Sequence, residues 1–161
     1  MAPSRVCSSP ARPMGVALFA LLFVAPTLAR ATGNENARLA LHLAAVTSKN
    51  ACSAAAARPA CPDIVTQGAL YPNSYFAYVL VTNGDLEKGV AGAQFGIQYE
   101  AAPQQGVDIF SWHNCAGAEF PTPDWPEPGG GNVLTWIAGT QCQRAEPGGP
   151  GTGVMATLGY F

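Results

Sequence analysis

The stretch VAGAQFGIQYE, from Val90 to Glu100, decides the fold of this chain. Apolar side chains occupy every second position from Ala91 through Phe95 to Tyr99, and glycine, glutamine or glutamate fills the positions between them. This alternation predicts a β-strand with one buried face and one solvated face. Such a strand is stable only when a second apolar layer covers its buried face, so we expect the rest of the chain to supply another sheet.

Working outward, further segments share the composition of β-strands, with aromatic, β-branched or alternating apolar residues. They are 37–47 (ARLALHLAAVT), 74–82 (SYFAYVLVT), 107–113 (VDIFSWH), 132–138 (NVLTWIA) and 154–161 (VMATLGYF). The turn residues at 83–85 predict that strands 74–82 and 90–100 are antiparallel neighbours. We expect His42 to lie on the solvated face of the first strand. The pattern predicts an all-β protein, an antiparallel β-sandwich of the immunoglobulin-like or jelly-roll type.

The first 31 residues have the pattern of a secretory signal peptide. Two arginines precede an apolar run over 15–25 that is too short to span a bilayer, and Ala29-Arg30-Ala31 offers cleavage sites after either alanine. We therefore expect one domain over residues 32–161, located outside the cell or in the periplasm, with no membrane span after cleavage. Its last strand is either held by neighbouring strands or is the cut edge of a longer chain.

The charge balance of that domain limits its partners. Without the leader, five basic residues remain against ten acidic ones, so the domain carries a net negative charge. No basic patch is left for phosphate contacts, and we therefore do not expect nucleic-acid binding.

The cysteine content agrees with export, because removal of Cys7 with the leader leaves an even set of four. We expect the disulfide Cys52–Cys61, which would close one loop. We also expect Cys115–Cys142, which would join the ends of neighbouring strands. The sequence has no C-x-x-C pair and no histidine at ligand spacing from a cysteine, so it predicts no zinc site.

The candidate binding residues lie in and around the proline-rich loop over 121–131 (PTPDWPEPGGG). Flat aromatic rings beside fixed polar groups suit a carbohydrate, and loops on a rigid sandwich are a usual place for such a site. The carboxylates could also supply some of the oxygen ligands of a Ca²⁺ ion. The plainer alternative is a solvated loop held by one tryptophan, with the other tryptophans in the core. The candidates are Glu119, Asp124, Trp125, Glu127, Trp112 and Trp136.

Catalytic residues are not indicated by any motif. A glycoside hydrolase needs two carboxylates facing each other, and the sequence does not pair any of its candidates, which are Asp108, Glu119, Asp124 and Glu127. Ser111 and His113 share a strand face without an acid beside them, and no G-x-S-x-G motif exposes a nucleophile. We therefore expect a non-enzymatic protein, with a small secreted glycoside hydrolase as the alternative.

Two segments resemble the β-sandwich domains of cohesin-type and related carbohydrate-binding modules. In those families a strand of the form A-x-F-x-I-x-Y-D/E follows a loop, as residues 93–100 do in this chain. A G-V-x-A-T-x-x-F strand closes the family domain, and residues 151–161 (GTGVMATLGYF) are similar to it. The resemblance implies a module for binding or assembly at the cell surface, with a glycan or a surface protein as partner. A structural surface protein without a small ligand is a further alternative.

Overall fold

The structure, a computed structural model, describes residues 33–47, 51–69, 73–102, 106–137, 140–145 and 153–161. The predicted signal peptide over residues 1–31 lies outside the described residues. Within them, the chain forms short 3₁₀ helices at Ala55–Ala57 and Cys61–Asp63, and no helix is long and apolar enough to cross a membrane. The strands are β1 (Arg38–Ala45), β2 (Tyr75–Thr82), β3 (Gly92–Gly96), β4 (His113–Asn114), β5 (Ala118–Pro121), β6 (Gly131–Thr135) and β7 (Val154–Tyr160).

These strands form two antiparallel sheets, which confirms the predicted all-β, antiparallel class. One sheet has the order β1-β2-β7-β4 and the other has the order β3-β6-β5. β1 pairs with β2 along its whole length, from Arg38 opposite Thr82 to Ala45 opposite Tyr75. β1 is therefore an edge strand of the four-stranded sheet, and β3 is an edge strand of the three-stranded sheet.

Both faces of β2 are covered, because this strand sends alternate side chains into two hydrophobic clusters. Tyr78 and Leu80 belong to one cluster, with Ala51 and Ala57 from the segment that follows β1. Such burial on both faces explains why β2 is apolar at nearly every position. The other cluster joins the two sheets and consists of Val79, Val81, Val90, Phe95, Leu134, Ala145, Met155, Ala156 and Leu158. We call this second group the intersheet cluster.

The stretch 90–100 has the faces that its alternation predicts. Phe95 is buried, Ala93, Ile97 and Tyr99 are partly buried, and the glycines and glutamines between them are exposed. Only Gly92–Gly96 pair as a strand, however, and their partner is β6. One side of the whole stretch is therefore buried, as the period of two predicts, whereas hydrogen-bonded strand pairing is limited to its first half.

The predicted pairing of strands 74–82 and 90–100 is wrong, because β2 and β3 lie in different sheets. The turn continues beyond the predicted residues: the Oδ1 atom of Asp85 accepts hydrogen bonds from the N–H groups of Glu87 and Lys88. Asn34 also bonds to this loop, with its Oδ1 accepting the N–H of Asp85 at 2.8 Å. A loop of this length allows the chain to cross to the other sheet instead of folding back as a hairpin.

The predicted strand over 107–113 is also wrong for most of its length, since only His113–Asn114 pair, beside β7. Val107 is exposed and Ile109 is partly buried, and both line one side of a groove, which gives an apolar period of two without strand pairing. A strand that the sequence did not indicate, β5, pairs with β6.

Both predicted disulfides are wrong. Cys52 bonds to Cys115, with a Cα–Cα distance of 5.4 Å, so Cys115 cannot bond to Cys142. Cys61 carries a free thiol. The segment between Cys52 and Cys61 packs as a layer against the four-stranded sheet and places the two cysteines at opposite ends of β7. Cys61 lies at the start of β7, because a side chain at Gly153 would meet its Sγ atom. Cys52 lies with its partner Cys115 near the end of β7, where the N–H of Cys115 bonds to the carbonyl oxygen of Leu158.

Candidate functional site

Two of the three candidate tryptophans belong to a cluster of four rings, Phe95, Trp112, Trp125 and Phe161, which we call the aromatic cluster. The ring centroids of Trp112 and Trp125 lie 5.1 Å apart at an interplanar angle of 88°. Trp125 meets Phe95 at 5.3 Å and 85°, and Trp112 lies 4.7 Å from Phe161. Edge-to-face contacts of this kind stabilise a core beyond simple burial. Phe95 also belongs to the intersheet cluster, and the other three rings pack against that cluster.

The position of Trp112 depends on Gly159 in β7. A Cβ atom at this glycine would collide with Cη2 and Cζ2 of the Trp112 ring and with the backbone oxygen of His113. The absence of a side chain therefore lets the indole lie directly on the β7 backbone. Sequence reasoning could not find this contact, because Trp112 and Gly159 are far apart in the chain.

Glu119 on β5 holds the aromatic cluster from the side of the three-stranded sheet. Its Oε1 atom accepts the indole Nε1–H of Trp112 at 2.8 Å and the amide Nδ2–H of Asn132 at 2.6 Å. Asn132 is buried in β6. Two charge-assisted hydrogen bonds commit this carboxylate oxygen to positioning its neighbours.

The remaining candidates of the proline-rich loop lie at the turn between β5 and β6. Asp124 and Glu127 are exposed, as expected for this loop. Trp125 is partly buried, and the backbone N–H of Glu127 bonds to the carbonyl oxygen of Asp124 at 2.6 Å. Trp136 lies just after β6, is partly buried and packs against the intersheet cluster without joining the aromatic cluster. The structure therefore brings Glu119, Trp112 and Trp125 together and leaves Trp136 apart.

A metal centre was a further candidate. Over the described ranges, no three side chains of histidine, cysteine, aspartate or glutamate come together as a set of metal ligands.

An open apolar groove of about 440 Å³ runs between the two edge strands β1 and β3. β1 contributes the side chains of alternate leucines, and residues 95–99 form the opposite wall with part of 107–109. β1 contributes no residue to the intersheet cluster, and its Leu39 and Leu41 are about half exposed. The lining residues are Leu39, Ala40, Leu41, Leu43, Ala77, Val79, Phe95, Gly96, Ile97, Gln98, Tyr99, Val107, Ile109 and Phe161.

The side chains of the groove offer few polar groups to a ligand. Gln98 and Tyr99 carry the polar side-chain atoms of the lining, and the Tyr99 hydroxyl donates to the carbonyl oxygen of Pro126 at 3.2 Å. Burial, assisted by the nearby Glu127 carboxylate, raises the pKa of Tyr99 above its ordinary value. The Tyr99 hydroxyl therefore stays protonated and remains a donor.

The backbone of β1 supplies the polar groups that the side chains lack. The backbone N–H and C=O groups of the even-numbered residues of β1 point toward β2. Those of the odd-numbered residues Leu39, Leu41 and Leu43 therefore point outward, away from the sheet. The N–H of Leu43 bonds to the carbonyl oxygen of Val65 at 2.8 Å. Within the described segments, the outward groups of Leu39 and Leu41 have no backbone partner. An unoccupied strand edge therefore runs along the apolar groove.

Sequence reasoning did not single out the groove residues. The alternating leucines of 37–47 predicted one apolar face, but not that the second sheet would leave this face open. Leu41 is 53% exposed in the structure, although the pattern predicts a covered side chain.

No family model matches the chain, and neither a curated protein nor a solved structure matches it. The features of this chain that bear on its function are the groove, the strand edge and the aromatic cluster.

The positioning role of Glu119 gives a first prediction. Glu119→Ala leaves the partly buried donor of Trp112 and the buried donor of Asn132 without their acceptor, so we expect a loss of about 2 kcal/mol in the free energy of unfolding. Glu119→Gln keeps an acceptor oxygen and should lose about half as much. Urea unfolding followed by tryptophan fluorescence measures both changes. Equal stability of the alanine variant and the unchanged protein would contradict this role.

Proposed function

We propose that this protein is a secreted, non-enzymatic β-sandwich module that binds an extended, apolar segment of a partner protein at the cell surface. The observation that carries the proposal is the open apolar groove beside the outer edge of β1. The intersheet cluster supports the sandwich, because side chains from both sheets contribute to it. The Cys52–Cys115 disulfide and the leader-like first 31 residues support export.

An extended peptide matches both parts of this surface. Its main chain can hydrogen-bond to the outward N–H and C=O groups of Leu39 and Leu41, as in other cases of strand addition to a sheet edge. Every second side chain of such a peptide would then point into the groove, where apolar side chains are removed from water. The proposed ligand is therefore a strand with apolar residues at alternate positions.

A carbohydrate fits the same surface less well. Sugars need fixed polar groups beside an aromatic face, whereas the groove is lined almost entirely by apolar side chains. The rings of Trp112 and Trp125 pack against one another and against Phe95. The resemblance to cohesin-type modules, which the sequence suggests, supports a protein partner and remains part of the proposal.

The glycoside hydrolase alternative receives no comparable support. Its best-placed carboxylate, Glu119, already accepts hydrogen bonds from Trp112 and Asn132.

Selection from a displayed library of short random peptides, with the full exported chain as bait, tests the proposed function. We expect enrichment of peptides with apolar residues at alternate positions. The selected peptides should bind at least about tenfold more weakly to Leu41→Glu, because a carboxylate in the groove must be desolvated when the peptide binds.

Leu86→Glu is the matched control, since Leu86 is 59% exposed but does not line the groove. Its peptide binding should equal that of the unchanged protein. Equal binding of the selected peptides to both variants, or failure to enrich any alternating sequence, would overturn the proposal. A glycan that binds the unchanged protein and not Trp125→Ala would move the function to carbohydrate recognition.

A further inference from the structure

A second feature of β1, on the opposite side from the groove, is the buried imidazole of His42. Only 6% of this residue is exposed, so the prediction of a solvated histidine is wrong. Its ring lies against the ring of Tyr78 at a centroid distance of 6.1 Å and an interplanar angle of 24°. The segment that follows the Cys61–Asp63 helix covers it, which is why a polar position of the strand alternation becomes buried.

Val65 in this covering segment makes two hydrogen bonds to β1. Its N–H donates to Nδ1 of His42 at 3.0 Å, and its carbonyl oxygen accepts the N–H of Leu43 at 2.8 Å. The second bond occupies the outward edge of β1 at the position next to Leu41. Val65 therefore closes one end of the strand edge that runs along the groove.

We propose that His42 and Val65 form a proton-sensitive latch on the edge of β1. Nδ1 can accept the Val65 N–H only while it carries no proton. When Nδ1 takes up a proton from water, the imidazolium presents an N–H group to the N–H of Val65, and this hydrogen bond is lost. The segment around Val65 then separates from β1, and the outward N–H of Leu43 becomes accessible beside those of Leu39 and Leu41.

The surroundings of His42 favour the closed latch at neutral pH. Burial lowers the pKa of His42 below its ordinary value, so the folded protein holds the ring neutral. An open or unfolded chain binds the proton more readily, with a pKa near 6.5. The closed state therefore loses stability as the pH falls below about 6.5, and this loss ends once the pH has passed the lowered pKa of the closed state.

The neighbouring titratable groups do not replace His42 in this role. Tyr78 from β2 lies against it, and burial, with Tyr160 as a smaller cause, raises the pKa of Tyr78, so this phenol stays neutral in acid. Asp63 lies two residues before Val65 and is exposed. Within the described parts of the chain, no carboxylate or cation forms an ion pair with His42. The hydrogen bond between His42 and Val65 forms whether or not a ligand occupies the groove.

Hydrogen exchange of the full chain, measured residue by residue by NMR, tests the latch. Between about pH 7.5 and about pH 5 we expect the protection factors of the Val65 and Leu43 amides to fall by about tenfold, while those of β7 stay unchanged. In His42→Gln the side-chain oxygen still accepts a hydrogen bond but does not titrate, so this fall should disappear. His113→Gln, in the other histidine of the chain, should keep it.

Two results would overturn the latch. One is a pH-independent protection factor for the Val65 and Leu43 amides in the unchanged protein, or a fall with pH that is equally large in His42→Gln. The other needs no variant: the ¹⁵N shift of Nδ1 at neutral pH must show a nitrogen without a proton. A protonated Nδ1 under those conditions would exclude the hydrogen bond on which the latch depends.

Discussion

Loss of the Cys52–Cys115 disulfide is expected to lower the free energy of unfolding by about 4 kcal/mol, more than any other substitution that we propose. The two cysteines are 63 residues apart, and a cross-link over so long a loop removes much of the conformational entropy of the unfolded chain. The bond also ties the segment after β1 to the end of β4. Thermal unfolding of Cys52→Ser/Cys115→Ser against the unchanged protein measures the loss.

Cys61→Ser is the matched control, because the structure gives Cys61 a free thiol. We expect this variant to change the free energy of unfolding by less than about 1 kcal/mol. Peptide mapping of the unreduced protein should recover a linked pair that contains Cys52 and Cys115. Recovery of a Cys52–Cys61 pair would refute the disulfide of this structure, whether or not the serine variants fold.

Leu134→Ala is expected to lower the free energy of unfolding by about 3 kcal/mol. Leu134 is fully buried in β6, the central strand of the three-stranded sheet, and belongs to the intersheet cluster. Truncating it removes apolar contacts and leaves a cavity between rigid strands that cannot fully close. Chemical denaturation, followed by tryptophan fluorescence, measures the change.

Leu86→Ala tests whether this loss comes from burial, since Leu86 is mostly exposed in the loop after β2. Its expected effect is below about 0.5 kcal/mol. If both leucine variants lost the same stability, or neither lost any, the two sheets would not share the intersheet cluster as a common core.

The buried face of the stretch 90–100 could be predicted from the sequence because a period of two is a local property. The alternation around Phe95 and Ile97 assigned the buried side correctly, and the apolar runs at 74–82 and 154–161 correspond to β2 and β7. The same local rule failed at 107–113. There alternate residues of a segment without strand pairing line an open groove, and the pattern cannot distinguish this from a strand.

The candidate site could be predicted only in part. Trp112, Trp125 and Glu119 were identified from residue type, and the structure brings them together through Gly159 and Asn132, which no sequence signal indicated. The groove was missed for a related reason. Leu41 is uncovered because the three-stranded sheet does not extend over β1, and the extent of one sheet over another is not encoded in either strand alone.

The sequence by itself determined that this chain forms strands and which side of the stretch 90–100 is buried, because side-chain alternation acts between near neighbours. The tertiary structure alone decided that β2 pairs with β1 and β7, that Cys52 bonds to Cys115 and that His42 is buried. Each of these depends on where distant segments meet. The long loops determine which distant segments come into contact, and the packing of all seven described strands determines which path those loops take.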